Sequence, residues 1–153
     1  METLKAIINS QPQTSQLQTV FRWLAGAFLL YTGTGHLTFS RQEFLAQVPN
    51  WVPLNGDLVV VLSGIAELLL GVMLIGLGRY RASVGWLVTL FLVAVFPGNI
   101  SQYVNHRDAF GLNSDTSRFL RLFLQPVFII WILWATGGWE AWKHRNDETE
   151  ADY

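Results

Sequence analysis

Six side chains give this sequence its chemistry: His36, Ser63, Glu67, Asn99, Arg121 and Gln125, each set in or beside an apolar stretch. Glu67 is the most telling. It stands at the tenth position of the twenty-residue run Leu58–Leu77 and is the only charged residue in it. As a helix, a run of this length rises ~1.5 Å per residue and crosses the ~30 Å hydrocarbon core of a bilayer. A carboxylate at the centre of such a helix costs about 2.5–3.5 kcal/mol on insertion scales, so it faces protein or water rather than lipid. Ser63, Gly64 and Gly71 lie three or four residues away and share its helical face. A carboxyl and an imidazole can exchange protons with a bound molecule, while amides and a hydroxyl supply donors and acceptors.

Depth groups these residues. His36 lies near one end of its apolar stretch, and Asn99 precedes Tyr103 by four residues, ~6 Å in from the same side. Gln125 follows Arg121 by four residues and Arg118 by seven, which places all three on one helical face. The expectation is a shared pocket in one half of the membrane, with Glu67 deepest and Arg121 at the mouth. Each residue also has a plainer role open to it. His36 can be an interfacial or capping residue. Asn99 follows Pro97 and Gly98, and Gln125 precedes Pro126, so both amides can serve backbone groups left unpaired by proline. The two arginines can snorkel to headgroups, and Glu67 can be a hydrogen-bonded packing element with no chemistry.

The elements that position these residues are four expected membrane helices, about 20–37, 58–77, 84–103 and 119–136. This gives an all-α membrane protein, a four-transmembrane-helix bundle over residues 19–137 flanked by tails 1–18 and 138–153. The first tail is expected to be frayed, with a weak surface helix at Leu4, Ile7 and Ile8 as the alternative, and the second is expected to be solvated and mobile. No basic-then-apolar leader with a small-residue cleavage site is present. Between the first two helices, residues 39–57 combine Pro49 and Pro53 with Phe44, Val48, Trp51 and Val52. The prolines forbid a long helix, and the apolar content predicts an interfacial loop or a lid over the bundle mouth.

Both termini and the short 78–83 loop share one side. That side carries Lys5, Arg22, Arg79, Arg81, Lys143 and Arg145, against Arg41, Arg107, Arg118 and Arg121 on the other. Six against four places both termini in the cytoplasm. Trp23, Tyr80, Trp86, Trp139 and Trp142 then form an inner aromatic belt, with Trp51, Tyr103 and Phe110 at the outer interface. Composition agrees: 51% of residues are hydrophobic and seven are tryptophan. A net charge of −1 offers nothing to nucleic acid. There is no cysteine, which removes disulfides, thiolate metal sites and thiol redox chemistry together, and no metal site is expected.

Four segments carry a family resemblance. Gly33-Thr-Gly-His36, Ser63-Gly64-Ile-Ala-Glu67-Leu-Leu-Leu-Gly71, Val95-Phe-Pro-Gly-Asn-Ile100 and Arg121-Leu-Phe-Leu-Gln-Pro126 resemble the signature segments of the DoxX family of small bacterial membrane proteins. Pro49-Asn-Trp-Val-Pro53 is similar to that family's first outer loop. The resemblance covers about residues 33–134. Where many relatives read His-Phe, this chain has His36-Leu37, with Phe39 two residues further on. It implies a four-helix protein of the bacterial inner membrane and, through the family's name, an association with thiosulfate:quinone oxidoreduction.

Two function classes follow. In one, the protein is a redox-linked subunit whose pocket takes a quinone-like or other lipophilic molecule. Glu67 and His36 then exchange protons, and Ser63, Asn99, Arg121 and Gln125 bind the ligand. Electrons come from a partner subunit, since no resident haem or flavin is legible: His36 lacks a second intramembrane histidine, and no dinucleotide glycine fingerprint follows a strand. In the other, the polar core specifies helix packing in a structural or interaction subunit surrounded by membrane lipids, with self-association open. A small transporter is the weakest candidate, because four helices without a repeat are poor material for alternating access.

Overall fold

The computed structural model describes residues 11–151, so the expectation for Leu4, Ile7 and Ile8, a frayed tail in preference to a weak surface helix, lies outside the described residues. The described chain is helical, and no strand occurs among the described residues. α1 is Gln16–Leu37 and begins earlier than its apolar stretch because of a capping box. There the Ser15 hydroxyl accepts from the Gln18 N–H at 3.1 Å and the Gln18 side chain accepts from the Ser15 N–H at 2.8 Å. A short α2, Arg41–Leu45, follows in the 38–55 connection. α3, Gly56–Gly76, starts on the Asn55 cap. A 3₁₀ turn at Gly78–Tyr80 leads into α4, Arg81–Val104. α5, Asp115–Thr136, opens on a Ser114/Ser117 capping box and closes on Gly137, whose φ of 68° is the left-handed C-cap that glycine adopts without penalty. The chain then continues as α6, Gly138–Ala151, where a solvated tail was expected.

Among the described residues, three segments are long and apolar enough to cross a membrane: Gly56–Gly76, Gly78–Val104 and Asp115–Thr136. α1 matches them in length but not in hydropathy, because Arg22, Thr32, Thr34 and His36 dilute it. The flanks of the helices are apolar and exposed, as at Leu69, Leu90, Leu124, Val127 and Ile130. A surface of this kind suits lipid rather than water.

α1 packs closely on α3 and α4 on α5; α5 returns to α1, and α3 meets α4. The α1–α3 crossing is built from glycine. Gly26 faces Gly71 and Gly33 faces Gly64, so the antiparallel backbones meet at two points seven residues apart on each helix. A Cβ on Gly71 would stand 2.8 Å from the Gly26 carbonyl oxygen, and one on Gly33 would stand 2.9 Å from that of Gly64. In a bilayer, helix association depends on such close packing, because lipid is as apolar as the helix flanks.

The two ends of the helix assembly differ. At the end that carries Ser15 and Gly137, a dry core forms from Ala25 and Leu29 of α1, Leu70 and Leu74 of α3, Val84, Val88 and Leu92 of α4, and Ile132 of α5. Arg22 is buried there and donates to the carbonyls of Leu74 and Ile75, which α3 leaves unpaired at its last turn. The opposite end, covered by the 38–55 connection, is hollow.

Candidate functional site

The hollow end is a cavity of about 1000 Å³, the upper part of the range for small-molecule sites. Its walls are mostly apolar and aromatic, including Phe28, Tyr31, Phe44, Trp51, Phe128 and Trp131. His36, Ser63, Glu67, Asn99, Arg121 and Gln125 all line it, so four helices deliver the six polar side chains to one space. Arg118, on the same face of α5, is not in the wall. It is buried outside it, donating to Asp108 and Asp115 and to the Arg107 carbonyl oxygen.

His36 and Glu67 form the polar focus of the cavity. His36 is 8% exposed and Glu67 9%, and the His36 Nε2 atom lies 3.5 Å from the Glu67 Oε2 atom. That separation brings the charges together if the imidazole is protonated, but it exceeds hydrogen-bond length. The Glu67 Oε2 atom is therefore buried without a hydrogen-bond partner among the described residues, and so, independently, is the other ring nitrogen of His36, Nδ1. A buried polar atom left so costs about 1–3 kcal/mol, a cost that a ligand hydrogen-bonded at the same place removes. The glycine crossing sets this geometry, since Gly64 sits against the His36 Cβ atom and Glu67 follows one turn later. On its other side the imidazole stacks on the Phe44 ring, with centroids 3.4 Å apart at 16°.

The amides behave differently. Asn99 donates to Gln125 across α4 and α5, and Gln125 donates in turn to the Leu92 carbonyl oxygen. Gln47, from the 38–55 connection, donates to the Asn99 side-chain oxygen at 3.2 Å and to that of Gln102 at 2.8 Å. Asn99 and Gln125 therefore spend much of their capacity on each other, on Gln47 and on the Leu92 carbonyl, whereas His36 and Glu67 keep theirs.

The 38–55 connection folds over the cavity and contributes Phe44, Gln47, Val48, Pro49, Trp51 and Val52 to its wall. Arg107, in the α4–α5 connection, holds it down by donating to the carbonyls of Ala46 at 2.9 Å and Val48 at 3.0 Å and to the Asn50 side chain. Glu43 accepts the Phe110 N–H. Phe110 has a φ of 55°, a left-handed backbone that a bulky residue adopts at a cost, and this turn presents its ring to Phe44 and Arg121.

Phe44, Gln47, Gln102 and Arg107 are the site residues that sequence reasoning passes over. Phe44 and Gln47 had one legible signal: apolar and amide residues in a proline-bounded loop beside the polar half of the helices. Nothing local marks Gln102 or Arg107. Among the described residues no cluster of His, Cys, Asp or Glu suited to a metal ion occurs.

A helical protein of membrane-crossing length, with one half a dry core and the other an aromatic cavity holding a His–Glu pair, is the class that fold and site define. The chain belongs to the family described as Domain of unknown function (DUF8561), whose model matches residues 24–136. That span takes in the glycine crossing, the whole 38–55 connection and every polar residue of the cavity wall. No curated protein and no solved structure matches the chain.

Proposed function

We propose that this protein binds a lipophilic molecule bearing carbonyl or hydroxyl groups, a quinone in type, within a bacterial cytoplasmic membrane, as part of a membrane redox system. α1, α3, α4 and α5 cross the bilayer as a four-helix bundle, the 38–55 connection lies at the outer face and both termini are cytoplasmic. The three apolar segments support the spans, and α1 joins them because it packs between α3 and α5. The basic count of six to four supports the orientation. The resemblance to DoxX proteins supports the redox setting as an analogy only.

One observation carries the reading. A buried histidine and carboxylate, each with a polar atom lacking a hydrogen-bond partner among the described residues, face a largely apolar cavity large enough for such a molecule. Reduction of a quinone takes up protons with its electrons, and titratable groups must deliver those protons. Glu67 and His36 do so here, while Phe44 holds the imidazole in place. Ser63 and Arg121 contact the ligand from other walls, and Asn99 and Gln125 shape the floor. Electrons arrive from a partner subunit.

Mass spectrometry of lipids extracted from the purified protein tests this, together with Glu67→Gln and Glu67→Ala variants. The expectation is a stoichiometric quinone in the wild type, retained by Glu67→Gln and lost from Glu67→Ala. An Ala variant that carries the same lipids removes Glu67 from any site. The paired amides favour a second reading, in which the polar core only fixes helix packing. A Gln variant with full function in cells would make that the better one.

A further inference from the structure

Arg118 and Arg121 stand three residues apart on α5, yet only one is neutralised. Arg118 is 6% exposed and has two aspartates and a carbonyl oxygen around its guanidinium. Arg121 is half-buried in the cavity wall and makes no ion pair or hydrogen bond among the described residues. Its one specific contact is the Phe110 ring, whose centroid lies 4.5 Å from the guanidinium carbon. Glu67 is the only acidic residue in the cavity wall, and it forms no ion pair with Arg121. A guanidinium presents five donors in a planar fork that matches a carboxylate or phosphate, and in a low-dielectric wall it lacks water to take their place.

The surroundings of Arg121 show how such a group would reach it. The hydrogen bonds and ring contacts between α1 and α5 lie toward the dry core: Gln18 to the Trp134 carbonyl, Phe21 with Trp131 and Trp134, and Phe28 with Phe128. Beyond Phe28 and Phe128, no hydrogen bond or ring contact joins the two helices among the described residues. There Tyr31 on α1 and Leu120 and Leu124 on α5 line the cavity while remaining exposed on the apolar flank. The cavity thus opens sideways between α1 and α5, with Arg121 just inside the opening. Below it, past Gln125, the wall is apolar through Val127 and Phe128 to Trp131.

Resting on the reading of the cavity as a site for lipophilic molecules, and not on that molecule being a quinone, we propose that the cavity also takes an acidic amphiphile. Its oxyanion, a carboxylate or phosphate, pairs with Arg121, and its apolar body enters sideways between α1 and α5 and lies along Phe128 and Trp131. The ligand's remaining polar group meets His36 and Glu67 on the opposite wall. Arg121 is then the residue that sets ligand class, and the His–Glu pair the one that exchanges protons.

The test uses the full-length protein in neutral detergent with dibrominated stearic acid as probe, read as quenching of tryptophan fluorescence; Trp131→Phe locates the quenching to the cavity. A charge-assisted pair of this kind is expected to favour the acid over its methyl ester by ~10-fold or more. Arg121→Gln should abolish that preference while ester binding persists, and Arg121→Lys should retain part of it, which separates lost charge from lost fold. Competition by oleate against oleoyl lysophosphatidate then tells a carboxylate source from a phosphate source. Equal binding of acid and ester by the wild type, or an acid preference that survives Arg121→Gln, overturns the acidic-ligand assignment and leaves the cavity reading standing. Quenching by neither probe overturns the acidic-ligand assignment, while the quinone reading stands or falls on the lipid extract.

Discussion

Glu67 stands out for what the protein leaves unsatisfied around it. Its Oε2 atom and the His36 Nδ1 atom are buried without partners, while the neighbouring amides are paired. The distance between the two side chains depends on glycine at position 64, where an added Cβ would stand 2.7 Å from the His36 Cβ and 3.1 Å from the Gly33 carbonyl oxygen. Gly64→Ala therefore forces α1 and α3 apart, and such overpacking costs about 1–3 kcal/mol. It is expected to lower the melting temperature in detergent and to release any cavity ligand. Gly76→Ala is the control, because a Cβ there meets nothing within 4 Å. Equal melting of the two variants would show that the glycine crossing does not set the site. The glycine face was half legible: Gly64 and Gly71 flank Glu67 at helical spacing, but their partners Gly26 and Gly33 emerge only once α1 is docked.

At the scale of elements, the apolar runs revealed where the long helices lie and left their ends imprecise. The ends are set by polar caps at Ser15, Asn55 and Ser114, outside the runs that hydropathy reads. The 38–55 connection is legible as an apolar segment without a long helix, since its prolines forbid continuity, and it holds only the five-residue α2. Its docking was not, because that depends on Arg107, more than fifty residues away in sequence. Removing the latch is a direct test. Arg107→Ala leaves the carbonyls of Ala46 and Val48 without this donor, and the connection then opens more often. The chain contains no cysteine, so a single Val48→Cys reports on that opening through its rate of thiol labelling. Arg107→Ala should raise the rate several-fold while far-UV helicity stays unchanged. An unchanged rate would mean that Glu43, Gln47 and the stacked Phe44 hold the connection without Arg107.

The whole molecule divides its work between its ends, a packed core at one and the cavity at the other, and its proposed orientation sets which end faces the outside of the cell. That orientation rests on an excess of two basic residues, with Arg79 and Lys143 both exposed on the terminal side. Arg22 is committed to the last turn of α3 and Arg81 to the carbonyls of Pro12 and Gly78, so they cannot be altered without disturbing the fold. Arg79 and Lys143 can be. Topology follows the number of lysines and arginines near the span ends rather than net charge. The aspartates that pair with Arg41 and Arg118 at the cavity end therefore do not cancel those arginines in the count. Replacing Arg79 and Lys143 by glutamine levels the count at four on each side. A reporter active only in the cytoplasm, fused after Tyr153, is expected to be fully active on the wild type. On the double variant its activity should drop, with a matching gain from a reporter active only outside. An inactive but well-expressed wild-type fusion would reverse the orientation and place the cavity at the cytoplasmic face. Any ligand would then enter from the inner leaflet, and the proton exchange proposed for His36 and Glu67 would draw on the cytoplasm.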